Sequence, residues 1–214
     1  MRRWERYAPL TGVAAVLLWV VGAFLTEKDD RPEGKDTAAL VAWVDKNDRS
    51  LIAGAIVFGF GVLFFFWMLG SLRAAVQAHE GPGGRLAVLG FGSGVATSVC
   101  LLMTYMPHAQ AALDIDDTSP TSTDALVHMG DAFFGGVELF AIPMLLATAL
   151  ASLRYGVLPR WYAWSSLVLA LILAIPPIGW LGVFAGVPLW VLVTSVLLFG
   201  KQPREPVAAP QQYR

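Results

Sequence analysis

The sequence predicts an all-α polytopic membrane protein, a bundle of six transmembrane helices with both termini cytoplasmic. Three observations carry that prediction. The 214 residues are 56% hydrophobic and only 14% charged, with a mean hydropathy of +0.60, which is far from the composition of a soluble domain. The apolar residues fall in six blocks close to the roughly 20 residues that cross a bilayer. Lys and Arg gather at one end of those blocks.

The blocks are residues 8–26, 50–72, 86–106, 126–150, 161–178 and 180–199. The first follows the basic start "MRRWERY" and resembles a secretory leader only superficially. Its apolar run exceeds the roughly 7–15 residues of a leader and no A-x-A site follows, so it reads as a retained helix. Helical composition continues past the second block through "GSLRAAVQAHE" and past the fourth through "LATALASLRY", so those ends should protrude. "EGPGGR", "YGVLPR" and "IPPIG" supply the breaks, each through Gly or Pro. "TSTD" offers N-cap residues ahead of the fourth helix. Residues 1–200 are expected to form a single domain, with 201–214 as a short disordered cytoplasmic tail.

Orientation follows from counting cations. With the N-terminus inside, Arg2, Arg3, Arg6, Arg73, Arg85, Arg154, Arg160, Lys201, Arg204 and Arg214 are cytoplasmic, against Lys28, Arg31, Lys35, Lys46 and Arg49 outside. The outer loops are rich in Asp and Glu. Trp4, Trp161 and Trp164 should then lie near the inner interface, and Trp43 and Trp180 near the outer one. "DTAALVAWVDKN" reads as a short helix lying on the membrane surface or on the bundle. Gly90, Gly94 and Ser98 recur every fourth residue and offer a flat strip for close helix packing.

The chemistry sits in "VHMGDAFFGGVELF", residues 127–140. Asp131 and Glu138 are seven apart, so they lie within roughly 20° of each other and about 10 Å apart along a helix. His128 adjoins them. If Asp124 marks the outer interface, Glu138 falls near mid-bilayer, where a carboxylate must face the bundle or carry a proton. Pro143 removes the hydrogen bond to the Leu139 carbonyl and should kink the helix beside Glu138. These residues are the candidates for a proton or ion pathway, with His108 and Tyr105 as weaker ones.

Two other readings compete. In the first, Glu138 bonds Tyr105, Thr97 or Trp190 and merely fixes the bundle, in a non-catalytic structural or partner-binding protein. In the second, His108, His128 and Asp131 meet and hold a metal, or a histidine holds a haem, in a membrane redox protein. No motif supports a catalytic residue, so an enzyme is disfavoured and no metal site or cofactor is assigned. "GFGSG" has Val95 where a dinucleotide fingerprint needs Gly. "HMGD" departs from the GxGD of intramembrane aspartyl proteases, and "DIDDTSPTSTD" has neither the central Gly nor the closing Glu of a calcium loop. Cys100 is the sole cysteine and forms no internal disulfide. The expected partners are the lipid bilayer and a small ion or solute, with no nucleic acid and the oligomeric state open.

"RYAPLTGVAAVLLWVVGAF", "FFFWMLGSLRAAVQAHEG" and "LWVLVTSVLLF" together resemble a class of bacterial multi-pass membrane proteins with no assigned activity. The resemblance implies the fold and a place in the bacterial inner membrane. It implies no functional residue.

Overall fold

The computed structural model describes residues 7–26, 31–32 and 36–201. The expected tail beyond Lys201, the interfacial Trp4, and the charged residues of 1–6, 27–30 and 33–35 lie outside the described residues. All regular structure among the described residues is helical: a 3-10 turn at Ala8–Leu10, then α1 (Thr11–Thr26), α2 (Thr37–Glu80), α3 (Arg85–Leu113), α4 (Pro120–Tyr155), α5 (Arg160–Leu173), α6 (Pro176–Leu181), a π-helical turn at Gly182–Gly186, and α7 (Val187–Lys201). Five helical stretches are long and apolar enough to cross a membrane, the last running without a break from Pro176 to Lys201.

The fifth expected block, 161–178, does not form a span of that length. Instead, α5 has 14 residues, or about 21 Å against a hydrocarbon core of about 30 Å. Proline disfavours the α conformation in the residue before it. Ile175, at φ −107° and ψ 98° ahead of Pro176, takes the extended geometry that results. The chain reverses there, several residues early, and 176–178 join the returning helix.

The first and last described residues lie at the same end of the bundle. Tyr7 stacks on Phe199 with ring centroids 6.0 Å apart. Lys201 donates through Nζ to the carbonyls of Gly156 and Val157 at 3.2 and 2.8 Å, beside the α4–α5 turn. Arg73, Arg85, Arg154 and Arg160 stand at the ends of helices on this same basic end. The opposite end carries Asp36, Asp45, Asp48, Asp114, Asp116, Asp117 and Asp124 and is the acidic end.

At the acidic end three helices overshoot the rest. The segment expected as a separate surface helix forms the first turns of α2, which runs 44 residues, about 66 Å. Asp36 caps it, its carboxylate accepting from the Ala39 amide at 3.1 Å. α3 continues through Pro107 to Leu113. α4 starts early, at Pro120, capped by Ser119 rather than by a residue of "TSTD", in the arrangement of a polar N-cap followed by proline. Leu40, Trp43, Val44, Leu51, Ala111, Ala112 and Val127 form a separate small core among these extensions. Trp43 is therefore buried in that core and not a lipid-facing interface residue. Trp161, Trp164 and Trp180 are exposed, as an interfacial belt requires.

The main core runs the length of the bundle. The Gly90–Gly94–Ser98 strip is buried as expected, and a Cβ on Gly94 would lie 2.7 Å from a Leu69 methyl of α2. α1 and α2 cross closely where Gly22 and Gly54 face each other, each Cβ position being 2.9 Å from the other's carbonyl oxygen. Hydroxyls inside the bundle bond carbonyls one turn back, as Thr104 does to Cys100 and Thr148 to Met144, both at 2.9 Å. Between helices, Tyr162 pairs with Thr194, and the Trp190 indole donates to Ser166 at 2.9 Å.

Candidate functional site

Gly130 makes the site possible by permitting a close approach of α3 and α4, its Cβ position lying 2.7 Å from the Thr104 carbonyl oxygen. Pro107 leaves the Met103 carbonyl without its helical partner. His108 follows it and is buried. A carbonyl can only accept, so the 2.9 Å contact between His108 Nδ1 and the Thr104 oxygen places a proton on Nδ1. The opposite nitrogen, Nε2, then faces Asp131 Oδ1 at 3.6 Å. The imidazole lies flat against α4 because residue 130 has no side chain: a Cβ there would sit 2.5 Å from His108 Cε1 and 2.6 Å from Nδ1.

Asp131 has a second partner from a distant part of the chain. Arg31, in the α1–α2 connection, donates from Nη1 to Oδ1 at 3.1 Å and from Nη2 to Oδ2 at 2.6 Å. This is the two-pronged geometry that makes guanidinium–carboxylate pairs directional. Pro32 follows Arg31 and disfavours the helical state for it, so it stays outside both helices. The guanidinium carbon also lies 6.0 Å from the Trp43 ring centroid, within the range of a cation–π contact.

Beneath this ion pair is a partly open cavity of about 480 Å³, with Arg31, Asp131 and His108 as its charged and titratable lining and Trp43, Tyr105 and Phe134 among its aromatic walls. A narrower apolar cavity of about 80 Å³ shares Thr104, Tyr105, Phe134 and Phe184 with it and reaches Val20 and Ala23 of α1. Phe184 lies in the π-helical turn and stacks on Phe134 with centroids 5.2 Å apart. Such turns widen a helix locally and recur at functional sites.

The stripe expected along α4 divides among three environments. Asp131 enters the cavity. His128 turns away, exposed, with Nδ1 2.9 Å from the Asp124 carbonyl oxygen, and does not meet His108. Glu138 is half-buried against α6, where a Cβ on Gly179 would lie 2.9 Å from its carboxylate. Among the described residues no hydrogen bond or ion pair reaches Glu138, and it does not line the 480 Å³ cavity. The partners expected for it are engaged elsewhere: Thr97 bonds Ser93 and Trp190 bonds Ser166. Tyr105 packs on Phe58 at 4.2 Å and lines both cavities.

The depth of Glu138 also changes. Because α4 projects beyond the other helices, Asp124 is a poor marker of the interface. Counted from Tyr155 at the basic end, Glu138 is about 25 Å along the helix and Asp131 about 36 Å. Glu138 therefore stands level with the α5–α6 reversal, and Asp131 above it. Pro143 lies inside an α4 that continues past it.

The metal reading required His108, His128 and Asp131 together. No group of three or more His, Cys, Asp and Glu side chains is placed to hold a metal among the described residues. Sequence reasoning missed Arg31, which is 100 residues from its partner. The one local sign of the site is the "GD" of "HMGD", a residue without a side chain directly before an acid. Comparison of the chain with protein-family models, with curated proteins and with solved structures finds no match.

Proposed function

We propose that the protein binds a small solute at the outer face of a bacterial inner membrane, in the cavity beneath Asp131, and serves in its transport or sensing. Both termini are cytoplasmic in this reading, which makes the acidic end the outer one. The observation that carries it is the convergence of Arg31, His108 and Asp131 on a partly open cavity of about 480 Å³. A few converging polar groups over aromatic walls are the usual make-up of a small-molecule site. Asp131 is the central residue, and His108 takes the role first given to His128. Glu138 is a separate candidate, one turn or more nearer the basic end, for proton exchange coupled to the site.

The non-catalytic alternative has one observation in its favour. The Arg31–Asp131 pair ties the α1–α2 connection to α4, and such a tie needs no ligand. A solute screen separates the two. The purified protein in nanodiscs is heated with amines, guanidines, carboxylates, phosphates, sugars and inorganic cations. A solute bound at about 100 times its dissociation constant adds about 2.7 kcal/mol to the folded state. At least one class should raise the unfolding midpoint of the wild type and fail to do so in Asp131→Ala. If no class raises it, the binding reading is wrong and the structural one stands.

A further inference from the structure

The solute reading leaves the ligand's chemistry open, and the occupant already in the site bears on it. Arg31 belongs to the chain, but its head group is held as a bound guanidinium would be: two prongs on Asp131 and a ring face from Trp43. The groups that hold it stand on the helices α2 and α4, whereas Arg31 itself belongs to no regular element.

Remove the guanidinium and Asp131, with His108 beside it, remains at the head-group position. Asp131 offers two acceptor oxygens. His108, with its Nδ1 proton committed to the Thr104 carbonyl, presents Nε2 as a lone pair when the ring is neutral. With the ring neutral these are two acceptors 3.6 Å apart that a cationic N–H donor satisfies together; with the ring protonated Nε2–H donates to Oδ1, and Asp131 Oδ2 is still left to accept from a cation. Trp43 adds a ring face that favours a cation. The surrounding surface agrees, since seven Asp residues of the described acidic end accompany only Lys46 and Arg49 besides Arg31, and a field of that sign concentrates cations. Below the head-group position the walls become apolar, with Leu51, Phe134 and Phe184.

We infer that the site recognises an organic cation, a guanidinium or primary ammonium group carried on an apolar body, and that Arg31 is a tethered stand-in which the ligand displaces from Asp131 and Trp43. The inference rests on the solute-binding reading and narrows it. It has an unusual consequence: deleting a residue that lines the site should improve binding. A competitor that fills the site nine-tenths of the time lowers apparent affinity about tenfold.

The test uses the full-length protein in detergent, with butylguanidinium, butylammonium, butylphosphonate and butanol titrated calorimetrically. Arg31→Ala and Arg31→Gln should both bind butylguanidinium at least about tenfold more tightly than the wild type. Asp131→Asn should lose that binding, and butylphosphonate and butanol should bind none of the proteins. Two Arg31 variants are used so that a folding defect in one does not decide the result, and a thermal melt confirms that each is folded. Butylphosphonate binding to the wild type that disappears without Arg31 overturns the cation class and leaves the solute site in place. Cation binding that is unchanged or weakened in both Arg31 variants overturns the stand-in role. If none of the four probes binds any variant, the cation class fails, and the broader screen then decides whether the site reading fails too.

Discussion

Gly130→Ala is expected to destabilise the protein by about 3 kcal/mol, the upper part of the usual range for overpacking a filled interior. The added methyl would lie 2.5 Å from His108 Cε1 and 2.7 Å from the Thr104 backbone oxygen. A surface side chain could rotate away, but here the ring is bonded to that same oxygen and the oxygen belongs to α3. Relief therefore requires α3 and α4 to separate or His108 to leave the site. Gly135→Ala, five residues along the same helix, is the control. Nothing lies within 4 Å of its Cβ position, so the substitution should be neutral or stabilise by up to about 1 kcal/mol through helix propensity. Denaturant unfolding of both variants and the wild type measures the difference. Equal stabilities would mean that the imidazole does not pack against Gly130.

Asp131→Asn should separate function from stability. Its pair with Arg31 is partly open to solvent, the side chains being 44% and 37% exposed, and exposed ion pairs contribute about 0–1 kcal/mol to folding. Unfolding in denaturant should therefore shift by less than about 1 kcal/mol. Ligand binding should fall by about 100-fold, because losing one partner of a charged hydrogen-bonded contact in a complex costs 2–5 kcal/mol. A purely structural pair gives the opposite pattern, with measurable loss of stability and no change in any solute-induced melting shift.

The bundle was legible from sequence wherever hydropathy alone decides the structure. The first four blocks fall inside helices, and Gly and Pro mark the turns at 80–85 and 155–160 much as their backbone preferences require. Hydropathy separates lipid from water, however, and not helix from loop. The expected surface helix "DTAALVAWVDKN" therefore read as separate from the block at 50–72, although both lie within α2. For the same reason Pro107 seemed to end α3, which in fact continues outside the apolar block. The α5 boundary depended on which of two prolines acts first, a local backbone effect that a hydropathy average cannot register.

The site was half legible. A carboxylate in a mainly apolar helix needs company, and that reasoning was applied to Glu138, which no hydrogen bond or ion pair reaches among the described residues, whereas Asp131 has Arg31 and His108 as partners. Spacing alone could not supply them. Helical angle places Asp131 and Glu138 on one face, but the face meets different neighbours at different heights: Arg31 and His108 above, Gly179 below. Whether His108 or His128 turns inward depends on how α3 rotates against α4, and Gly130 sets that contact. The Arg31 pairing spans 100 residues and leaves no mark in spacing.

The central claim is that water and solutes reach Phe134 from the acidic end. Phe134→Cys in a Cys100→Ala background supplies one reactive thiol, and Asp117→Cys and Pro82→Cys in the same background mark the acidic and basic ends. A charged, membrane-impermeant thiol reagent is applied to sealed vesicles. Residue 134 should react from the side that labels residue 117, and more slowly. Reaction from the side that labels residue 82, or no reaction from either side, would contradict the account.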